Sequence, residues 1–446
     1  MELEYARIRP PAVAGLFYPG DAAILRSDVT RLLNDSVLAI TTSPKALLVP
    51  HAGYQYSGAT AAAAYRTLAS TPDRITRVVL LGPAHRVHVR GFALARATDF
   101  MTPLGRIPLA KPPLALQALP FVNFNDHAHA PEHALEVQLP FLQEVLGEFT
   151  VLPIVVGEAS AEEVAAVLHE VWGGDETLIL ISSDLSHFLN YFEAQHRDKS
   201  TVARILDGAS DISHDEACGA TALNGFLLEA GHRGLTSTLL SLCNSGDTAG
   251  SRDRVVGYCA MAFANDETRR GKVLLEIARG RIAHELKQGR EPAFNDPWLN
   301  APGATFVTLT LAGQLRGCIG SLVARRALGT DVADNAAAAA FRDPRFAPLS
   351  VAEYGRIAVE VSELSPSEAI TYSDEGDALS QLRPHIDGVI LECGSQRATF
   401  LPQVWQQLPD PMAFLSQLKL KAGLRSDFWS SEIGLSRYTV HKYREL

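Results

Sequence analysis

Three histidines and one aspartate follow apolar runs of the chain in a pattern that suits metal chemistry. His51 and His85 come shortly after two such runs, and Asp184 with His187 follows another. Ligands of an open parallel α/β sheet bind beyond the carboxyl ends of its strands, so these side chains are expected to converge. Two neutral imidazoles and a carboxylate suit non-haem Fe(II), and Zn²⁺ with a catalytic water takes similar ligands. The sequence therefore predicts a metal centre on His51 and His85, with Fe(II) as the main expectation and Zn²⁺ as the alternative.

Other histidines carry weaker signals. Pro131 is expected to begin a helix on which His133 and Glu136 share a face. These two side chains either line the same cleft or pair with each other, and we count His133 among the candidate catalytic residues. His127 and His129 are expected in a loop, where they need be no more than solvated side chains.

The elements that must position these residues have the pattern of alternating strands and helices. Continuous apolar runs separated by helical stretches indicate a mostly parallel sheet covered by helices on both faces. The predicted strands are Ala46–Val49, Arg77–Leu81, Val151–Val156, Thr177–Ile181 and a last strand, Val255–Phe263. The first part of the chain is therefore predicted to be an α/β domain.

The second part of the chain has a different pattern. Thr305–Leu311 alternates like a half-buried antiparallel strand, and the alanine-rich Asp331–Phe341 is expected to be a tightly packed helix. Runs of strands with a few helices indicate an α+β domain. The polar segment Asn265–Lys272 is the expected linker, and it divides the chain into domains of residues 1–267 and 268–446.

The charge and cysteine content exclude several classes of protein. Up to residue 267 there are 19 basic against 30 acidic residues, so the net charge of −10 belongs to the first part. This acidity argues against nucleic-acid binding, which needs a basic surface. No apolar run is long enough to span a membrane, no secretory signal is recognised, and five scattered cysteines form no disulfide framework. A reduced, cytoplasmic protein is expected.

Several strings of the first part resemble the Memo-like proteins over about residues 6–265. The strings are Val49–Gly58 (VPHAGYQYSG), Leu81–His85 (LGPAH), Glu132–Glu136 (EHALE) and Ser182–His187 (SSDLSH). Memo-like proteins are similar to class III extradiol ring-cleavage dioxygenases, which hold Fe(II) with two histidines and a carboxylate. The resemblance implies that His51 and His85 are metal ligands and that His187 is the acid–base histidine, with Asp184 beside it.

The third metal ligand is where this sequence departs from that pattern. Animal Memo proteins place a cysteine at a position that falls near Thr248 here, while Cys243 lies five residues earlier. Asp247 would restore a set of two histidines and one carboxylate, and it is the third ligand that we predict. The alternative is that Asp247 belongs to a Ser-Gly-Asp turn without contact to a metal.

The second part resembles the AMMECR family over about residues 270–446, chiefly through the string Leu315–Gly320 (LRGCIG). Arg316 and Cys318 point to the same face of a strand, so the guanidinium could stabilise a thiolate. The alternative, slightly favoured, is that Cys318 is a small buried strand residue.

These features lead to three functional hypotheses. The first is a metal-dependent redox enzyme, dioxygenase-like and using Fe(II), that acts on a small-molecule or peptide substrate. The second is a non-catalytic module that binds a metal, a peptide or a small molecule. The third is a hydrolase with Zn²⁺ or with Cys318 as nucleophile. The resemblance also implies a radical S-adenosylmethionine protein as partner, because Memo-like and AMMECR proteins of microbes tend to accompany one.

Overall fold

The structure is a computed structural model that describes residues 7–37, 43–69 and 72–445. The chain separates into two compact units, and the division falls between Asp266 and Glu267. None of the helices within the described ranges is both long and apolar enough to cross a membrane.

The first unit alternates strands and helices along most of its length. Its strands are β1 (Ile8–Arg9), β2 (Ala46–Val49), β3 (Arg77–Pro83), β4 (Phe92–Leu94), β5 (Asp99–Thr102), β6 (Gly105–Pro108), β7 (Val122–Phe124), β8 (Thr150–Val156), β9 (Thr177–Ser182), β10 (His187–Leu189), β11 (Leu235–Asn244) and β12 (Val255–Asn265). Its helices are α1 (Ala22–Asp35), α2 (Tyr54–Tyr65), α3 (Leu114–Gln117), α4 (Asp126–His129), α5 (Leu139–Val145), α6 (Ala161–Val171), α7 (Tyr191–Leu206) and α8 (Ala220–Arg233).

A large mixed sheet organises this unit. Its strand order is β10-β12-β2-β9-β3-β8-β4-β7. Strand β11 is not in this order and pairs with β12 in antiparallel fashion. The four central strands β2, β9, β3 and β8 are parallel, whereas β12 joins β2 and β4 joins β8 in antiparallel fashion. The smaller strands β1, β5 and β6 form a separate three-stranded sheet. The prediction of a mostly parallel sheet is confirmed for the strands that lead to the predicted site residues.

Both faces of the large sheet are covered. Along β3, Val78 and Leu80 belong to one apolar cluster, whereas Val79 and Leu81 belong to a second cluster on the opposite face. All four side chains are fully buried, which explains why the strand is an uninterrupted apolar run. The start of α6 is also encoded locally, because Ser160 and Glu163 form a capping box there.

The second unit is built from antiparallel strands and a few helices, which confirms the α+β prediction. Its strands are β13 (Pro302–Leu311), β14 (Gln314–Gly320), β15 (Arg326–Ala327), β16 (Ile357–Leu364), β17 (Glu368–Ala369), β18 (Gly388–Cys393), β19 (Gln396–Phe400), β20 (Gly434–Tyr438) and β21 (Val440–Arg444). Its helices are α9 (Glu267–Glu285), α10 (Leu328–Phe341), α11 (Val351–Tyr354), α12 (Glu375–Gln381) and α13 (Pro411–Lys421). One sheet has the order β14-β13-β16-β21 with β15 beside β13, and the other has the order β17-β20-β18-β19.

The segment predicted as a linker is instead regular structure. Strand β12 continues to Asn265 and helix α9 begins at Glu267, so only Asp266 lies between the two elements. The charged residues of this segment form the first turns of α9, where Gly271 and Leu274 are buried. The polar composition of this segment therefore did not indicate a linker, because its charged side chains belong to the exposed side of a helix.

Candidate metal centre

His51 lies in the loop after β2, and hydrogen bonds fix its ring in an almost fully buried position. Its backbone N–H donates to Asp184 Oδ1 at 2.8 Å, and its Nδ1 lies 3.0 Å from Ser182 Oγ. The single hydroxyl proton of Ser182 is donated to the carbonyl oxygen of Ala134 at 2.7 Å, so Ser182 accepts from His51. His51 Nδ1 therefore carries the ring proton, and Nε2 presents a lone pair.

His85 follows β3 and is oriented by the buried carboxylate of Glu132. Glu132 Oε2 accepts the backbone N–H of His85 at 2.8 Å, and Glu132 Oε1 lies 2.9 Å from His85 Nδ1. Burial opposes ionisation of Glu132, but the hydrogen bonds from His85 and from the backbone of Ala134 outweigh it and hold its pKa at about 2. An ionised carboxylate only accepts, so His85 Nδ1 donates and its Nε2 is free. A carboxylate behind an imidazole in this way is the usual partner of a metal-binding histidine.

His133 completes a cluster of three imidazoles. Its ring centre lies 4.7 Å from that of His85 and 5.5 Å from that of His51, and the last two ring centres are 5.0 Å apart. One ring nitrogen from each residue lies within 4.8 Å of those of the other two, so the three histidines could hold a metal ion. His133 Nδ1 is buried 3.4 Å from Glu132 Oε1, but it has no hydrogen-bond partner among the described residues.

The surroundings keep two of these imidazoles neutral. Burial, reinforced by repulsion from neighbouring histidines, lowers the pKa of His51 to about 3 and that of His133 to about 4. Metal ions bind the neutral form of imidazole. The donor types and the unpaired buried nitrogen of His133 therefore fit a divalent transition metal ion such as Fe(II) or Zn²⁺.

Two further polar groups lie beside His51 Nε2. The thiol of Cys218 is 3.2 Å from this nitrogen, and Asp184 Oδ2 is 4.0 Å from it. Burial raises the pKa of Asp184, and it raises that of Cys218 to about 12, so the thiol keeps its proton and can donate it to His51. Sequence analysis misses Cys218 because it lies far along the chain and outside the strand ends. The structure shows why a glycine follows it, because a Cβ at Gly219 would come within 2.7 Å of Ser183 Cβ.

His187 is the first residue of β10, and its ring is oriented by a backbone carbonyl. Its Nδ1 lies 2.8 Å from the carbonyl oxygen of Leu185, which can only accept, so Nδ1 carries the proton and Nε2 has the lone pair. A charge on His187 would lower the pKa of both His51 and Asp184, so its ring is close enough to interact with both. The structure thus brings together His51, His85, His133 and Asp184, and His187 lies three residues after Asp184 along the chain.

Asp247 lies outside this cluster. It ends a short 3₁₀ turn, Ser245–Asp247, and its carboxylate accepts the backbone N–H of Asn244 at 3.0 Å and the hydroxyl of Tyr191 at 2.5 Å. Both carboxylate oxygens thus accept hydrogen bonds from the protein. This arrangement matches the alternative in which Asp247 belongs to a Ser-Gly-Asp turn without contact to a metal. The third nitrogen of the cluster comes instead from His133, which the sequence analysis assigned to catalysis.

The helix predicted from Pro131 is absent, and this separates Glu136 from His133. Residues 131–135 form turns, and Glu136 opens a 3₁₀ helix. The fully buried carboxylate of Glu136 accepts from Arg9 Nη1 at 2.7 Å and from the hydroxyl of Tyr18 at 2.6 Å. Glu136 therefore holds the N-terminal segment in place and neither lines the cleft nor pairs with His133.

Three of the weaker sequence signals belong to other surroundings. His127 is exposed, as expected, but His129 is buried and its Nε2 lies 2.9 Å from the carbonyl oxygen of Ala93. Cys243 lies 3.0 Å from the hydroxyl of Thr60. None of these three side chains belongs to the imidazole cluster.

In the second unit Cys318 is half-buried on β14, and the guanidinium of Arg316 pairs with another residue. Thr308 donates its hydroxyl to Cys318 Sγ at 3.3 Å, whereas Arg316 Nε donates to Glu353 at 2.9 Å. The shared strand face predicted for Cys318 and Arg316 therefore does not produce an ion pair.

Comparison with known proteins connects this geometry to a family. The family model described as Memo-like protein matches residues 9–262, and the model described as AMMECR1 matches residues 275–443. The first match covers more than half of the chain and includes every member of the imidazole cluster. The chain belongs to the Memo-like family. Its second unit is an AMMECR1 domain.

Two relatives with similar sequences each match just over half of this chain. A MEMO1 family protein of Aquifex aeolicus is 35% identical over 270 residues, which are 58% of this chain and 99% of that protein. One from Methanopyrus kandleri is 36% identical over 283 residues, covering 57% of this chain and 98% of that protein. A solved structure of an uncharacterized protein from Pyrococcus horikoshii is 32% identical, with a TM-score of 0.36, and the match covers 40% of this chain and 92% of that one.

Proposed function

We propose that the Memo-like domain binds one divalent transition metal ion through His51, His85 and His133. The observation that carries this proposal is the approach of three ring nitrogens within 4.8 Å of one another. The tautomers support it, because Ser182 and Glu132 hold the protons of His51 and His85 on Nδ1 and leave a lone pair on each Nε2. His133 is the third member, and its buried Nδ1 has no hydrogen-bond partner among the described residues.

We infer further that the metal is Fe(II) and that the domain is an oxidoreductase with chemistry like that of the extradiol dioxygenases. When bound, Fe(II) would supply reactivity towards O2, which serves as the oxidant. The family resemblance supports iron, whereas a set of three histidines also suits Zn²⁺, as in hydrolytic zinc sites that keep one open position. Metal identity is therefore the first quantity to measure.

His187 is the proposed general acid–base residue. Its Nε2 lone pair is free, because the carbonyl of Leu185 holds the proton on Nδ1. A histidine in this state can remove a proton from a bound substrate and return it later. Asp184 accepts the backbone N–H of His51, and the protonated thiol of Cys218 lies beside His51 Nε2.

The experiment is metal analysis of anaerobically purified full-length protein, followed by an O2-uptake assay with added Fe(II). We expect one iron per chain in wild type, and loss of iron in the double variant His51→Ala, His85→Ala. His187→Gln should keep the iron and lose O2 uptake. Iron that is absent from wild type, or that the double variant retains, would contradict the proposal.

The second candidate is a binding module without turnover. The observation that favours it is the absence of a carboxylate from the three-histidine cluster, since non-haem Fe(II) oxygenases typically use two histidines and one carboxylate. Stoichiometric metal binding without O2 uptake or hydrolysis of any tested substrate would select this candidate.

We also propose a cytoplasmic radical S-adenosylmethionine protein as partner and a small molecule or peptide as substrate. The support is the family context together with the joining of Memo-like and AMMECR1 domains in one chain. Co-purification of this protein with a radical S-adenosylmethionine protein from the native host would support the partnership. Reciprocal purifications that never recover the pair would contradict it.

A further inference from the structure

The residue after His187 has an unusual backbone conformation. In the pairing of β10 with β12, His187 stands opposite Val256 and Leu189 stands opposite Val255, so Phe188 is an extra residue in the register. Phe188 has a φ of 63°, in the left-handed region that bulky side chains avoid. A conformation of this kind is retained only where the surrounding structure enforces it, and such residues cluster at functional sites.

This bulge turns the phenyl ring of Phe188 towards the side of the sheet that carries His187. Successive side chains of a regular strand point to opposite faces. Here the two ring centres are only 5.7 Å apart, in an edge-to-face arrangement, so both rings lie on the same side. Phe188 is 63% exposed, and it belongs to none of the buried clusters of the described residues. Core packing therefore does not explain the strained conformation.

A cation covers one face of the exposed ring. The guanidinium of Arg254, just before β12, lies 4.9 Å from the ring centre of Phe188. Arg254 is exposed, and it forms no ion pair with a carboxylate of the part of the chain that the structure describes. Its charge is thus available to a ligand, unlike that of Arg204, which pairs with Asp211 and Glu216.

We propose that Phe188 and Arg254 form a substrate-recognition pair beside His187, selecting a flat group that carries a carboxylate or a similar anion. The phenyl ring would pack on the flat group, and the guanidinium would bind the anion with two parallel hydrogen bonds. This inference rests on the proposed function, because it assumes that a ligand reaches the metal and His187. It makes Phe188 and Arg254 specificity-determining residues.

The test compares chelators that differ in one feature each. Benzohydroxamate and 4-carboxybenzohydroxamate are flat metal chelators that differ by one carboxylate, and acetohydroxamate lacks the ring. Their affinities for the metal-loaded full-length protein are measured anaerobically by calorimetry. We expect wild type to bind the carboxylated compound at least tenfold more tightly than benzohydroxamate.

Three variants measure what Phe188 and Arg254 each contribute to the affinities. Arg254→Gln should abolish the preference for the carboxylated compound and leave benzohydroxamate unchanged. Phe188→Gly should weaken both aromatic compounds about tenfold but leave acetohydroxamate unchanged, while its melting temperature stays the same or rises because glycine tolerates the positive φ. Arg252→Gln is the matched control, since Arg252 stacks on Tyr191 in the same way (4.5 Å) and should change none of the affinities.

The outcomes separate the two proposals. If wild type binds no metal, the proposed function fails and the recognition pair fails with it. If the metal binds but no chelator binds the loaded protein, the recognition pair alone is overturned. If the chelators bind but Phe188→Gly and Arg254→Gln match wild type for every compound, the recognition pair alone is overturned. A drop in the melting temperature of Phe188→Gly would likewise count against it, because the strained residue would then be structural.

Discussion

At the scale of single residues, hydrogen bonds decide what each histidine can do. Ser182 and Glu132 fix the tautomers of His51 and His85, so that the Nε2 atom of each ring has a lone pair. The sequence identified His51 and His85 because both follow apolar strands. It could not identify the role of His133, because that residue lies in a turn whose course depends on tertiary contacts.

The carboxylate of Glu132 should control metal affinity without contacting the metal. Replacing Glu132 with Gln removes the charge that orients His85, and loss of such a partner typically costs 10–100-fold in metal affinity. We expect a weakening of about that size in Glu132→Gln, measured by competition with a chromophoric chelator. Glu162→Gln, on the exposed start of α6, is the matched control and should bind as wild type does. Equal affinities in the two variants would show that Glu132 has no such role.

His129 should make the first unit less stable in acid. Burial lowers its pKa to about 4, below the value of about 6.5 expected in the unfolded chain. The unfolded state therefore binds more protons below about pH 6.5, so stability is lost as the pH falls towards 4. Between pH 7 and pH 5 this one residue should cost about 2 kcal/mol.

Urea unfolding of wild type and His129→Gln at these two pH values measures that contribution. The variant is expected to be less stable at pH 7, because a hydrogen bond to Ala93 is altered, but its stability should fall less between pH 7 and pH 5. Parallel pH dependences in the two proteins would contradict the assignment.

At the scale of elements, parallel strands that end at one edge of the sheet explain why part of the site was predictable. The loops after β2, β3 and β9 carry His51, His85 and Asp184 respectively. Asp247 as a ligand stays a prediction, and the structure places its carboxylate outside the imidazole cluster, in a 3₁₀ turn after β11 where it accepts the hydroxyl of Tyr191. The helix expected from Pro131 failed because Glu136 and Arg9 hold the chain in turns instead.

The buried ion pair of Glu136 and Arg9 should be essential for the N-terminal segment. Breaking a buried pair by removing one partner typically costs about 3–5 kcal/mol, because the other charge is left buried. We expect Glu136→Gln to lose stability on that order in urea unfolding. Glu144→Gln, which breaks a pair with the exposed Arg26, should lose less than about 1 kcal/mol. Similar losses in the two variants would contradict this account.

At the scale of the whole molecule, the chain combines two compact units with separate apolar cores. The composition already separated an acidic, histidine-rich first part from a neutral second part, and periodicity identified an α/β and an α+β domain. Composition did not reveal that the charged residues after Asn265 belong to a helix. Nor could it reveal Cys218, whose position beside His51 depends on the packing of the segment before α8.

Metal binding should stabilise the first unit selectively. A ligand that binds only the folded state adds about 4 kcal/mol at a thousandfold excess over its Kd. Hydrogen exchange with and without metal should therefore show slower exchange in peptides from residues before 267. Peptides from the AMMECR1 domain should exchange at unchanged rates, and slowing confined to that domain would place the metal elsewhere.

The central claim is that His51, His85 and His133 hold the metal. Anomalous diffraction at the absorption edge of the bound metal tests it most directly, with crystals of the full-length protein grown in the presence of Fe(II) under anaerobic conditions. The account predicts one strong anomalous peak between the three imidazoles, which disappears in His133→Ala. A peak on the loop of Asp247 and Tyr191, or no peak among the histidines, would contradict it.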